Sequence, residues 1–383
     1  MLRLPSRLSL VLLLALASLA AAHAAVPIPQ PPAVNGRAYI LIDYASGRVL
    51  AADHADDREE PASLTKLMTS YLVFQALKDG RLKLNEPVTI SEHAWRSEGS
   101  RSFLQVGTQI PAEVLLKGMI VQSGNDASIA LAERVGGTEA GFAQMMNDFA
   151  RRLGMTATHF VNSDGLPDPN HYTTARDMAT LARALVRDFP QYYPWYSIRE
   201  YTWNNIKQQN RNGLLMSDPT VDGMKTGHTD SAGFCLVASA VRNNGMRLIS
   251  VVMGSNSMKA REAASSALLA YGYTYYETVK VRDHGIALAE PRVYLSATPT
   301  VPLGLPQDLW VTVGHGDAPG LKVMTTIPSP LRAPIAAGAH VGDLTLTGAN
   351  GEAIAKVPLV ALKAAPTGGL WRRMIDSISL WFK

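Results

Sequence analysis

The chain contains a single cysteine, Cys235, so it cannot form an internal disulfide. A protein of 383 residues without cross-links must be stabilised by a buried core. The apolar run FCLVASAV around Cys235 is typical of a strand in such a core, where a small thiol packs as an apolar side chain. The length favours two domains.

Signatures of a bound metal or nucleotide are also missing from the sequence. The histidines His93, His159, His171 and His228 are scattered and form no His-Glu-x-x-His pattern, which leaves a metal hydrolase as a weak alternative. There is no glycine-rich phosphate loop. The formal charge is only +4, and it falls to roughly +2 without the basic N-terminus. We therefore expect no metal, no cofactor and no nucleic-acid partner.

Long hydrophobic runs are absent outside the N-terminus. Residues 1–24 have a basic start, an apolar run from Leu8 to about Ala20, and small residues ending at Ala24. This pattern predicts a secretory signal peptide cleaved after Ala24, and a mature protein that works outside the cytoplasm. A transmembrane anchor is the alternative, but the run is short for the roughly 30 Å of hydrocarbon in a bilayer.

The next segment, 25–280, combines strand and helix patterns. Residues 38–54 alternate in polarity around Ser46-Gly47, which predicts a β-hairpin, and two apolar runs flank Asn243-Asn244-Gly245. The segments between them repeat apolar residues at helical spacing, and residues 258–279 are also predicted to be helical. The order predicts an α+β domain in which helices cover a sheet and some helices form a separate lobe.

Beyond residue 280 the pattern changes twice. Residues 281–363 have short β-like runs divided by Pro and Gly, which predicts a small all-β, sandwich-like domain. Residues 364–383 are predicted to be a linker (KAAPTGG, 363–369) followed by an amphipathic helix at 370–383. One face of that helix carries Trp371, Met374, Ile375, Ile378, Trp381 and Phe382. We expect this face to bind a membrane surface, and a helix docked on the β domain is the alternative.

Ser63 and Lys66 lie three residues apart at the start of a predicted helix. That spacing places both side chains on one face, where a neutral lysine can accept the proton of a nucleophilic serine. Taken alone, the pair fits a capping serine and a surface lysine better than it fits a catalytic site.

Two later motifs change this interpretation. Ser123 and Asn125 lie in QSGND between two helices, and Lys225, Thr226 and Gly227 lie in MKTGHT on a predicted strand. Ser-x-x-Lys, Ser-x-Asn and Lys-Thr-Gly, in this order, are the motif set of penicillin-binding proteins and class A β-lactamases.

With these motifs, the chain resembles the D-alanyl-D-alanine carboxypeptidases among the low-molecular-mass penicillin-binding proteins, of the penicillin-binding protein 5 and 6 type. The resemblance includes PASLTKLMT, SGNDA, NSDGLPDPNHYTTARDMA, NRNGLL and VDGMKTGHTDSAGF. It implies the penicillin-binding/serine β-lactamase-like fold and removal of the terminal D-alanine from peptidoglycan stem peptides. It also implies acylation by β-lactams, a role in peptidoglycan maturation and cell shape, and attachment to the inner membrane.

The resemblance also implies roles for particular residues. Ser63 attacks the peptide carbonyl and forms an acyl-enzyme, Lys66 takes its proton, and Ser123 relays that proton to the leaving amine. Asn125 binds the substrate backbone, while Lys225 supplies a positive charge that also helps to keep Lys66 neutral. The N–H groups of Ser63 and His228 are expected to form the oxyanion hole, beside Gly227.

The same resemblance suggests how the terminal carboxylate is bound. Thr226 and an arginine are the expected ligands, and Arg211 is favoured over Arg261, which would support the cleft or be an ordinary surface charge. Two other functions remain open at this stage. A β-lactamase would need a loop glutamate that NSDGLPDPNHYTTARD does not contain, and an inactive wall-binding module would not be labelled by penicillin.

Overall fold

The computed structural model describes residues 27–242 and 244–381. The predicted signal peptide therefore lies outside the described residues, as do Asn243 of the hairpin signal and Phe382 of the terminal helix. The strands are β1 (Ala38–Asp43), β2 (Val49–Asp53), β3 (Pro87–Thr89), β4 (Gln109–Pro111), β5 (Glu200–Trp203), β6 (Ile206–Gln209), β7 (Val221–Thr229), β8 (Gly233–Val241), β9 (Arg247–Ser255), β10 (Tyr276–Arg282), β11 (Val293–Tyr294), β12 (Leu303–Gly304), β13 (Leu309–Gly314), β14 (Lys322–Thr326), β15 (Leu331–Arg332), β16 (His340–Thr347) and β17 (Ala353–Ala361). The helices are α1 (Lys66–Lys78), α2 (Glu92–Trp95), α3 (Ala112–Val121), α4 (Asn125–Gly136), α5 (Glu139–Leu153), α6 (Ala175–Asp188), α7 (Leu214–Ser217), α8 (Met258–Tyr275) and α9 (Leu370–Trp381).

A five-stranded antiparallel sheet of order β2-β1-β9-β8-β7 forms the centre of the first domain. Strand β1 is buried throughout, because helices pack on both faces of the sheet. Ile40 and Ile42 belong to the core shared with α1, α3, α4, α5 and α6, whereas Leu41 belongs to the core shared with α8. The alternation follows from the two-residue period of a strand.

Helices α5 and α6 begin at residues that favour helix N-termini, and α5 ends at a glycine. The hydroxyl groups of Thr138 and Thr174 accept hydrogen bonds from N–H groups in the first turns of α5 and α6. Gly154, with a φ of 82°, ends α5 in the left-handed conformation that glycine adopts without a steric penalty. These local signals position the helices that surround the cleft.

The prediction that residues 258–279 are helical is wrong in its last turn. Helix α8 ends at Tyr275, and residues 276–282 form β10, which pairs antiparallel with β13 of the β domain. The strand residues Thr278 and Val279 are β-branched, and Tyr276 is buried against the first domain, so tertiary pairing overrides the helical pattern. Strand β10 thereby joins the two domains.

The segment predicted to be a linker is bound along the β domain. Ala365 is fully buried, and its N–H and C=O groups both hydrogen-bond to Ile335, at 2.8 and 3.0 Å. The Gly368 N–H donates to the Leu295 carbonyl at 2.8 Å. These backbone groups of the segment hydrogen-bond to the β domain and not to water. The hydrogen bonds therefore hold the segment that leads into α9 in one position.

Helix α9 docks on the β domain through Asp376. The carboxylate of Asp376 is buried, and it accepts hydrogen bonds from the Arg292 guanidinium (3.1 Å) and the Leu295 N–H (2.7 Å). Leu380 is half-buried, and the other large apolar side chains of the described helix are exposed: Leu370, Trp371, Met374, Ile375, Ile378 and Trp381. The alternative of a helix docked on the β domain therefore describes part of the arrangement, and membrane binding by the exposed face stays a prediction. Among the described helices, none is long and apolar enough to span a membrane.

Candidate active site

Ser63 lies in a one-turn 3₁₀ helix, Ala62–Thr65, which continues directly into α1. Side chains three residues apart eclipse in a 3₁₀ helix, so this turn aligns Ser63 with Lys66 more closely than an α-helix would. The two side chains meet with Lys66 Nζ 3.0 Å from Ser63 Oγ. The predicted serine–lysine pair is therefore in hydrogen-bond contact.

Lys66 is almost completely buried, with 1% of its surface exposed. Besides Ser63, its Nζ contacts Asn125 Oδ1 (2.7 Å) and the Asp164 carbonyl (2.6 Å). The pKa of Lys66 is lowered to about 8, mainly by burial; Asp164 opposes this shift and the nearby Arg211 contributes to it. About a tenth of the lysine is then neutral at pH 7, and this fraction can act as a general base.

Ser123 and Lys225 form a second pair, with Lys225 Nζ donating to Ser123 Oγ at 2.9 Å. Ser123 has a φ of 67°, a left-handed conformation that costs a non-glycine residue energy and is often found at functional sites. Burial is the main cause that lowers the pKa of Lys225 well below its usual value, and repulsion from Lys66 adds to it. The two lysines therefore resist being charged together.

Asn125 contacts Lys66 of the first pair and lies two residues after Ser123 of the second pair. Its Oδ1 accepts the hydrogen bond from Lys66, and its Nδ2 donates to the Glu98 carbonyl at 2.6 Å. An amide nitrogen carries two hydrogens, so one remains for a ligand. Asn125 begins α4 directly after Ser123-Gly124, which explains how one short turn supplies both residues.

Strand β7 approaches the serine turn closely at Gly227. A Cβ atom on Gly227 would lie 3.0 Å from the Pro61 carbonyl oxygen and 3.2 Å from the Ser63 nitrogen. The Ser63 N–H therefore lies against the strand that continues into His228. Thr226 is buried in the same strand, and the exposed His228 ring stacks on Phe234 with 4.0 Å between ring centroids.

The two candidate arginines occupy different environments. Arg261 is 3% exposed, and its guanidinium donates to the carbonyl groups of Gly227 and Cys235 behind β7, at 3.1 and 3.4 Å. Arg211 is exposed, and its charge lowers the pKa values of both Lys66 and Lys225. Arg261 thus supports the strand, and Arg211 is the guanidinium available to a ligand.

Comparison with known proteins agrees with this geometry. The sequence profile described as D-alanyl-D-alanine carboxypeptidase matches residues 25–257, and that of the penicillin-binding protein 5 C-terminal domain matches residues 276–367. The chain belongs to the D-alanyl-D-alanine carboxypeptidase family. The predicted family, fold class and serine carboxypeptidase function are confirmed.

The carboxypeptidase has relatives that match nearly its whole length. It is 41% identical over 393 residues to D-alanyl-D-alanine carboxypeptidase DacA of Escherichia coli K12, a match that covers 99% of this chain and 97% of the relative. The crystal structure of penicillin binding protein 5 from Haemophilus influenzae has a TM-score of 0.85 at 42% identity, covering 88% of this chain and 99% of that chain. Penicillin-Binding Protein D2 from Listeria monocytogenes, in its ampicillin-bound form, has a TM-score of 0.59 at 29% identity, covering 64% and 100%.

Sequence reasoning missed the backbone acceptors of the carboxypeptidase site. The carbonyl oxygen of Asp164 accepts from both Lys66 and Ser63, at 2.6 and 3.5 Å, and the carbonyl of Glu98 holds Asn125. Backbone carbonyls have no side-chain signature, so no motif could reveal them. The turn composition of Asn162-Ser163-Asp164-Gly165 was the available signal for a tight turn here.

Gly165 shapes this turn and gives a direct test of it. Its φ is 86°, and a Cβ atom would lie 1.8 Å from the Ala62 carbonyl oxygen, which is next to Ser63. We expect Gly165→Ala to displace the serine turn and to destabilise the fold by about 1–3 kcal/mol. Thermal unfolding and the rate of penicillin labelling would measure both effects. The matched control is Gly107→Ala, which also has a positive φ (76°) but has open space around the new methyl group. If both variants label at the wild-type rate, this role of Gly165 is wrong.

Proposed function

We propose that the carboxypeptidase hydrolyses the terminal D-alanyl-D-alanine bond of peptidoglycan stem peptides through an acyl-enzyme on Ser63. The observation that carries this proposal is the 3.0 Å contact between Ser63 Oγ and a buried lysine amine whose pKa is about 8. A serine alone is a weak nucleophile, and a neutral amine within hydrogen-bond distance is the base that activates it.

In the acylation step, Ser63 Oγ forms a bond to the carbonyl carbon while its proton passes to Lys66 Nζ. The tetrahedral oxygen is bound by the N–H groups of Ser63 and His228, on either side of the close approach at Gly227. Collapse of the tetrahedral intermediate breaks the C–N bond, and the leaving D-alanine nitrogen receives, through Ser123, the proton that Lys66 took from Ser63. Water then attacks the ester, which releases the shortened peptide and restores Ser63.

The free carboxylate of the substrate binds near the basic side chains of the cleft. Arg211 and the Thr226 hydroxyl bind it, beside Lys225, and the remaining Asn125 N–H binds the substrate backbone. Because the pKa of Lys225 is lowered mainly by burial and by neighbouring cations, a substrate carboxylate nearby raises it again. Binding of an anionic terminus thus favours the charged form of Lys225, which suits an exopeptidase.

β-Lactams are the second class of ligand in this proposal. The Listeria relative has been crystallised in an ampicillin-bound form, and it shares the fold with this chain. A strained lactam carbonyl would occupy the same position as the peptide carbonyl, so Ser63 would be acylated by it.

Mass spectrometry of the intact protein tests this function. The protein is incubated with a penicillin and, separately, with a D-alanyl-D-alanine peptide, and the adduct is located by peptide mapping. We expect one acyl group on Ser63 in the first experiment and released D-alanine in the second. An adduct on any other residue, or no adduct, would contradict the assigned nucleophile.

We further propose that the mature enzyme works in the periplasm, attached peripherally to the inner membrane by α9. The support is the exposed apolar face of the helix, which includes two tryptophans, together with the docking of its polar side on the β domain. Apolar and aromatic side chains on one face suit the interface of a bilayer.

Deleting residues 370–383 is expected to release active enzyme into the soluble fraction, because it removes the apolar face without touching the cleft. Sedimentation of membranes, followed by penicillin labelling of both fractions, measures this. Asp376→Ala is the matched control: it breaks the docking contact but keeps every apolar side chain, so it should still bind lipid vesicles. A truncated enzyme that still sediments with membranes would contradict the anchor.

A further inference from the structure

Glu139, the first residue of α5, lies behind the cleft and has no part in the motifs described above. Its side chain is only 16% exposed. One carboxylate oxygen accepts two hydrogen bonds from Ser163, from the N–H at 2.9 Å and from the hydroxyl at 2.7 Å. The other oxygen contacts His93 Nε2 at 2.8 Å. All of these contacts lie outside its own helix.

Ser163 precedes Asp164, whose carbonyl holds Lys66 Nζ at 2.6 Å. The Ser163 carbonyl is held as well, by the hydroxyl groups of Thr69 and Ser128 at 2.6 and 2.7 Å. Glu139 therefore holds the N–H group of Ser163, while Thr69 of α1 and Ser128 of α4 hold the carbonyl group of the same residue. A rotation of the backbone at Ser163 would turn the Asp164 carbonyl away from Lys66.

We propose that Glu139 is a positioning residue for acylation, which holds the Asp164 carbonyl against Lys66 through the Ser163 backbone and whose negative charge acts on that amine. The proposal deepens the function proposed above and rests on it. The structural alternative is that Glu139 only stabilises the N-terminus of α5, where an acidic residue is favourable. However, Thr138 already caps that helix, and the carboxylate of Glu139 points to Ser163 and His93.

The charge of Glu139 acts on Lys66 among several others. Asp164, Asp126 and Glu139 favour the charged form of Lys66, and Arg211 disfavours it, as does repulsion between Lys66 and Lys225. Removing the negative charge of Glu139 therefore lowers the pKa of Lys66. Because the base must be neutral, the rising limb of the acylation rate then moves to lower pH.

The charge of His93, which contacts Glu139, changes with pH. The hydrogen bond to Glu139 raises the pKa of His93 above its usual value, and the histidine is partly exposed to solvent. Below that pKa a protonated His93 pairs with the carboxylate and offsets its field at Lys66. Above the pKa of His93, the histidine is neutral and no longer offsets the effect of the Glu139 charge on Lys66.

Two substitutions separate position from charge. Glu139→Gln keeps an oxygen acceptor for Ser163 but removes the charge, so we expect near-normal maximal acylation with the rising limb shifted to lower pH. Glu139→Ala removes both, and we expect penicillin acylation to slow by about 10- to 100-fold, the scale of a misplaced catalytic group. The second-order acylation rate is measured from pH 5 to 10, a range of about two units or more on either side of the Lys66 pKa. Asp148→Asn is the matched control, because it removes a carboxylate from the same helix at an exposed site.

A wild-type pH profile in Glu139→Gln together with a wild-type rate in Glu139→Ala would overturn the proposal. If Glu139→Ala does not fold, Glu139→Gln decides alone, since a purely structural role would leave its pH profile unchanged. Failure of the proposed function is distinguishable, because the wild-type enzyme itself would then not be acylated on Ser63.

Discussion

Replacing Ser63 with alanine is expected to abolish acylation by penicillin and to lower carboxypeptidase turnover by at least about 10⁴-fold, the scale of losing a catalytic nucleophile. The variant has no oxygen that can form the acyl-enzyme. Among the described hydroxyl groups, only that of Ser63 is hydrogen-bonded to the Lys66 amine, at 3.0 Å, so no neighbouring hydroxyl can replace it. Ser63 is half-buried and makes only a long contact to Asp164 besides that with Lys66, so the fold should be kept.

The measurement combines release of D-alanine, intact mass after penicillin, and thermal unfolding. Ser217→Ala is a suitable control, because Ser217 is an exposed serine whose hydroxyl makes a single 3.3 Å contact to a backbone carbonyl. A penicillin adduct that persists in Ser63→Ala would place the nucleophile elsewhere. A loss of both activities accompanied by unfolding would require the more conservative Ser63→Cys.

Replacing Lys66 with methionine is expected to slow acylation by about 10²- to 10⁴-fold, the usual contribution of a general base. Methionine fills a similar volume without an amine, so the buried position remains occupied. In the wild-type enzyme the neutral fraction of Lys66 increases as pH rises towards about 8, and the acylation rate should rise with it. In the variant this rise of the acylation rate with pH should disappear, because the residual reaction no longer depends on the protonation state of Lys66.

The rate of acylation across pH is the decisive readout for Lys66. Lys78→Met provides the control, since it removes an exposed lysine from the last turn of the same helix. The control should retain the wild-type profile. An unchanged rising limb in Lys66→Met would show that another group is the base, and Lys225 would be the next to test, because it is buried 2.9 Å from Ser123.

The local parts of the site were predictable because they depend on short spacing. Ser63 and Lys66 are held by one turn, and Ser123 and Asn125 by another, so motif and helix signals suffice to propose each pair. The supporting groups were not predictable. The Asp164 carbonyl and the carboxylate of Glu139 reach the site only through the fold, and a backbone acceptor leaves no pattern in a sequence.

The errors in the fold prediction have a common cause. Residues 276–279 continue a helical pattern, yet they pair with β13, and the Gly- and Pro-containing segment 363–369 resembles a linker, yet Ala365 is buried against Ile335. In both places the partner lies far along the chain, or in a domain with no motif of its own. Local propensity is weak compared with hydrogen bonding and burial of this kind.

By itself, the sequence contains the local signals at which α5 and α6 begin and α5 ends, and the three motifs that identify the chemistry. Only the tertiary structure decided that Lys66 is buried and that Arg211, not Arg261, is open to a ligand. The physical reason is that residue types and their spacing are local properties. Desolvation, charge repulsion and the direction of a carbonyl depend on segments that meet only when the chain is folded.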